Sequence, residues 1–166
     1  MSLMNQLTTL VAPWADFYNA SKAVQTTVTF GHFGGMMTAG GFALATDRAT
    51  LRAASSETSE RARHLRELSG IHPIVVGALA VTALSGLLMF AADLQTLAGS
   101  LVFWAKMGLI SLLLLNGYAM LRTERRLQAR DLADARDWRR LRTASLVSLG
   151  LWFAVVLAGS ILPNVS

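Results

Sequence analysis

Residues Ile71–Ala92 read IHPIVVGALAVTALSGLLMFAA, a run with no Asp, Glu, Lys or Arg. At a helical rise of about 1.5 Å per residue, a run of this length matches a hydrocarbon layer about 30 Å thick. Three further apolar runs accompany it, at Thr26–Thr46, Leu101–Leu121 and Ala144–Leu162, and Lys106 is the one charge within them. The expected fold class is therefore all-α: an integral membrane four-helix bundle forming a single domain over 1–166. Hydrophobic residues make up 53% of the chain, and four spans plus two polar loops consume nearly all of it.

Charge placement sets the expected orientation. All Lys and Arg except Lys22 and Lys106 fall in two segments. The first holds Arg48, Arg52, Arg61, Arg63 and Arg66; the second holds Arg122, Arg125, Arg126, Arg130, Arg136, Arg139, Arg140 and Arg142. The link Asp93–Ser100 has none. Short Arg-rich loops stay on the cytoplasmic side of a membrane, so both basic loops are expected inside and both termini outside, in a bacterial inner membrane. The net charge of +5 does not indicate a nucleic-acid partner. The arginines are interleaved with Asp47, Glu57, Glu60, Glu67, Glu124, Asp131, Asp134 and Asp137, which reads as mixed-sign, solvated helical faces beside anionic lipid head groups. The absence of cysteine excludes disulfides, thiolate metal sites and covalent c-type haem.

Before the first span, Leu7, Leu10, Val11, Trp14, Phe17 and Tyr18 recur at spacings of three and four. Residues 1–23 are expected to form an amphipathic helix on the outer interface, broken or entered at Pro13: an anchor, or a lid over the outward end. In the first span Gly31, Gly34, Gly35, Thr38, Gly41 and Ala45 fall along one stripe. Small residues let membrane helices approach closely, within the bundle or against a second copy or larger complex. Gly86, in the Ser85-Gly86 pair, allows the same in the second span. The first basic loop reads as a short helix from Ser56 to Leu68, a break at Ser69-Gly70, and a new helix with Pro73 in its first turn. The second basic loop reads as helix-prone, an extension of the third span.

Polar groups inside the hydrocarbon layer are costly, so those present are functional candidates. His32 lies roughly 9 Å from the outer end of the first span, with Met36 one turn further on the same face. Lys106 and Met107 of the third span and Met89 of the second fall in the same outer half. Imidazole and thioether form a soft ligand set suited to Cu(I), and a His/Met pair also ligates haem iron. The candidate metal ligands are thus His32, Met36 and Met89. The candidate cofactor set is His32, Met89 and Lys106, the last either snorkelling to the outer interface or neutralising an anionic group such as a haem propionate or quinone oxygen. His72 sits about 20 Å deeper and is not expected to share a haem with His32. His64 reads as a solvated loop residue, and Asn116 and Tyr118 as interhelical or interfacial hydrogen-bonding groups. No Ser-His-Asp set, paired membrane carboxylates, HExxH motif or phosphate-cradling glycine loop points to catalysis.

His32 followed by Gly40-Gly41, Ser85-Gly86, the segment Phe103-Trp104-Ala105-Lys106 running on to Asn116, and Arg139-Arg140 before a last span ending near Pro163 resemble the four-helix membrane domain of the copper-resistance protein D type and related small bacterial membrane proteins. Thr38-Ala39 stand where that family carries a Trp before its glycine pair. The resemblance implies inner-membrane copper handling. Three functions are therefore expected in competition: copper handling, b-type haem electron transfer, and a cofactor-free accessory subunit docked on a larger membrane complex or a second copy.

Overall fold

The computed structural model describes residues 3–129 and 134–165, with side chains from Met4 to Leu162. Arg130 and Asp131, and the first two residues of the segment 1–23 expected to be helical, lie outside the described residues. Among the described residues six helices follow one another: α1 (Leu3–Ala20), α2 (Lys22–Ala53), α3 (Thr58–Ala92), the short α4 (Leu94–Gly99), α5 (Leu101–Ala129) and α6 (Ala135–Val165). Among the described residues there is no strand. Two antiparallel hairpins, α2–α3 and α5–α6, dock chiefly through α2 and α6, while α3 and α5 meet far less. The short α4 replaces the plain link expected at Asp93–Ser100.

Large apolar side chains stand exposed on all four long helices, among them Phe30, Val76, Leu115 and Leu157. Exposure on that scale is foreign to a chain surrounded by water. Three helices, α3, α5 and α6, are long and apolar enough to cross a membrane. The 32-residue α2 is not among them. Its glycines, threonines and His32 dilute the apolar content on which such a span is recognised.

The principal departure from expectation concerns the first basic segment, whereas the second extends the third span as a helix, as expected. α2 runs on to Ala53 and α5 to Ala129. The expected break at Ser69-Gly70 is absent, since α3 continues from Thr58 through Gly70 and Pro73 to Ala92. A helical glycine costs about 1 kcal/mol relative to alanine. Burial of Leu65 and Leu68 beside it outweighs that penalty. Pro13 likewise lies inside a continuous α1. The extensions enclose the tightest core of the molecule: Ala53, Leu65, Leu68, Leu127, Trp138 and Leu141. Arg61 closes the α2–α3 turn. Its guanidinium donates to the carbonyls of Ala53 (3.3 Å) and Ala54 (2.8 Å) at the C-terminus of α2 and lies 5.1 Å from the Trp138 ring centroid. A cation there also complements the helix dipole.

The buried positions of α6 are Trp138, Leu141, Ser145, Ser148, Trp152 and Val155. Their alternating steps of three and four are those of a helix seam packed along its whole length. At the other end, α1 lies against α3, with the Trp14 indole N–H donating to the Leu88 carbonyl at 2.8 Å.

Candidate functional site

The site expected from sequence is built where α2 and α3 touch most closely. A Cβ added at Gly35 would lie 2.5 Å from Thr82 Oγ1 and 2.8 Å from the Ala78 carbonyl oxygen, so the two backbones meet as only glycine permits. One turn outward, His32 fills the same seam. Its Nδ1 lies 3.0 Å from the Thr82 carbonyl and 3.3 Å from Ser85 Oγ. A carbonyl only accepts, so Nδ1 carries the proton and the lone pair of the neutral ring is left on Nε2. Gly86 makes room for the ring; a Cβ there would sit 3.1 Å from His32 Cε1.

The other hairpin brings Lys106 to the same level. Its ammonium lies over Gly159, 3.5 Å from where a Cβ would stand, and within electrostatic range of His32. Among the described residues no carboxylate forms an ion pair with Lys106. His32 and Lys106, separated in sequence and on different hairpins, are thus brought together.

Met36 and Met89 are both half-buried. Because α2 and α3 run antiparallel, Met36 lies one turn from His32 toward the Arg-rich end, and Met89 lies one turn from Ser85, His32's neighbour, toward the opposite end. The glycine stripe divides: Gly31, Gly35 and Gly86 line the α2–α3 seam and a Cβ added at Gly40 would lie 3.4 Å from the Trp152 ring, whereas a Cβ at Gly34 or Gly41 would meet nothing within 4 Å. Those two do not pack inside the bundle, because they lie off the line of contact. Asn116 donates to the Ala144 carbonyl on α6 at 2.9 Å, an interhelical bond as expected, while Tyr118 is exposed.

His72 lies far from His32, as its sequence position requires, and has a different partner. Its Nε2 donates to Glu124 Oε2 on α5 at 2.8 Å. That pair belongs to a second polar group, at the Arg-rich end, which sequence reasoning missed. Asp47 is 2% exposed and Glu124 4%, although both were expected on solvated faces. His64, expected in solvent, is 7% exposed and hydrogen-bonded to Thr50 Oγ1 at 2.8 Å. Burial pushes its imidazole below the ordinary histidine value, against the opposing pull of Glu67. Asp47 lies just beyond the apolar run 26–46. Burial raises its carboxyl to about 6, the neighbouring Ser148 and Ser145 hydroxyls oppose the rise, and Glu124 adds to it. The signal available in sequence was the three-four spacing from Trp138 to Val155, which places Ser145 and Ser148 on a seam.

Among the described residues no three His, Cys, Asp or Glu side chains converge to hold a metal ion, so a carboxylate–imidazole centre is not formed. Compared with known families, curated proteins and solved structures, the chain matches none.

Proposed function

We propose that this chain is a four-span integral protein of a bacterial inner membrane that handles copper at His32. The four spans are the apolar parts of α2, α3, α5 and α6; both termini face outward, the Arg-rich helix ends face the cytoplasm, and α1 rests at the outer interface. The carrying observation is the state of His32. Its Nδ1–H is held by the Thr82 carbonyl, which fixes the ring and leaves Nε2 as a donor. This is the outer-shell arrangement that ligating imidazoles use. Met36, four residues along one helix face, supplies a thioether, and Met89 a third donor from α3. A bare soft cation suits the seam better than a porphyrin, because the helices are already in contact at Gly35 and Gly86. The resemblance carried by Phe103–Lys106 points the same way.

Cu(I) titration of the detergent-purified protein against a chromophoric chelator tests this reading. One tightly held Cu(I) per chain is expected, lost in His32→Ala; stoichiometric copper retained by that variant overturns it. Lys106→Met separates copper from an anionic ligand. Removal of a nearby positive charge tightens Cu(I) several-fold, whereas a haem propionate or quinone oxygen would lose its partner. A Soret band in the purified protein would favour the haem reading.

A second reading, an accessory subunit, is favoured by Gly34 and Gly41, which face open space beside exposed Phe30, Phe33 and Met37. Under it, Gly34→Leu blocks assembly with a second copy or a larger complex and leaves copper binding unchanged.

A further inference from the structure

The Arg-rich end of the bundle holds an anomaly that copper handling does not use. Asp47 Oδ2 and Ser145 Oγ are both buried and both lack a hydrogen-bond partner. Asp47 is 2% exposed and Ser145 is fully buried. They face one another across the α2–α6 contact, with Ser148 beside them. A buried carboxylate with an unpaired oxygen and no counter-ion is costly, and it is relieved by a counter-ion, a bound cation or a proton.

The surroundings decide among these. α6 offers Asp47 only the hydroxyls of Ser145 and Ser148. From α3, His64 is turned to Thr50. From α5 Glu124 adds a second negative charge and is itself bonded to His72. No Arg or Lys is paired with Asp47 among the described residues. One carboxyl and two hydroxyls are too few oxygens for a dehydrated alkali or divalent cation. A proton on Asp47 removes the charge that burial and the neighbouring Glu124 carboxylate penalise.

We propose that Asp47, Ser145 and Ser148 form a buried proton-binding site joining the two hairpins, loaded through the His72–Glu124 pair. Where α3 and α5 diverge, a groove of about 430 Å³ reaches His72 and Glu124 between Pro73, Val76, Leu121 and Gln128. His72 and Glu124 line this groove, and Glu124 is close enough to Asp47 to act on it electrostatically. Binding moves one proton from water to the Asp47 carboxylate, with no redox partner required. The elevated affinity of this carboxyl for its proton agrees with the geometry. The site is independent of His32, so copper binding and proton binding are tested apart.

Infrared difference spectroscopy of the full-length protein in lipid nanodiscs tests the site. Between acid and alkaline pH, the wild type shows loss of a carboxylic-acid C=O band with a midpoint near pH 6, and Asp47→Asn lacks the band. Glu124→Gln lowers the midpoint by removing the neighbouring charge. Ser145→Ala retains the carboxyl and shifts the band to higher frequency, which keeps the test valid if Asp47→Asn fails to fold. Absence of an Asp47-dependent band, or a band unmoved by Ser145→Ala, overturns the proposal. A midpoint that moves when Na⁺ replaces choline at constant ionic strength also overturns it, in favour of a cation site.

Discussion

Gly34 and Gly35 are adjacent glycines in one helix, and the structure assigns them opposite roles. Gly35→Ala places a methyl carbon 2.5 Å from Thr82 Oγ1, 2.8 Å from the Ala78 carbonyl oxygen and 3.1 Å from the Thr82 backbone nitrogen. A rotation of Thr82 removes only the first contact, at the expense of its hydrogen bond to the same Ala78 carbonyl (2.9 Å). The other two are backbone, so α2 and α3 must separate by about half an ångström, and overpacking of this kind costs about 1–3 kcal/mol. At Gly34 a methyl meets nothing within 4 Å. Both changes gain the same helix propensity, about 1 kcal/mol. The difference between the two variants therefore isolates the clash. For a chain of this size about 1–3 kcal/mol corresponds to roughly 2–12 °C in Tm. Thermal unfolding in detergent, followed by fluorescence of the buried Trp138 and Trp152, reads it. Gly34→Ala is expected to match or exceed the wild type and Gly35→Ala to fall below it. Equal midpoints would refute the close α2–α3 approach, and with it the seat of His32.

Asp47 and Leu141 supply two further tests. The Asp47 carboxyl is raised from 3.8 to about 6 in the folded state, so the folded chain binds more protons than the unfolded one across that window and loses stability as pH rises through it. Between pH 4.5 and 7.5 the loss is about 2 kcal/mol. His64, whose folded value is lowered, acts in the opposite sense, its stabilisation fading as pH falls. The wild-type minus Asp47→Asn difference removes His64 from the comparison; a difference independent of pH would contradict the burial of Asp47. Leu141 is fully buried in the core of the Arg-rich end, and Leu141→Ala should cost about 2–5 kcal/mol in SDS-induced unfolding. A cost within about 0.5 kcal/mol would mean that this end is a solvated loop after all.

The apolar runs fixed the helical class because their length and lack of charge leave a backbone no other way to satisfy its hydrogen bonds in lipid. The contact of His32 with the small residues of α3 was within reach for a related reason: a lone imidazole in an apolar run needs a partner, and Ser85-Gly86 offered one at matching depth. What stayed hidden lay at the Arg-rich end. Asp47, His64 and Glu124 read as solvated because Arg, Asp and Glu dominate their neighbourhoods in sequence. Local composition says nothing about which face of a helix a given charge occupies. Burial there is decided by the register of α2, α3, α5 and α6. That register places Leu65, Leu127, Trp138 and Leu141 inward and leaves the described arginines other than Arg61 exposed on the same turns. Sequence alone determined helices and apolar spans, which follow from one-dimensional hydropathy. Tertiary structure decided which of two adjacent glycines meets α3, which histidines are buried, and that Asp47 faces Ser145, since each depends on packing between segments that are distant in sequence.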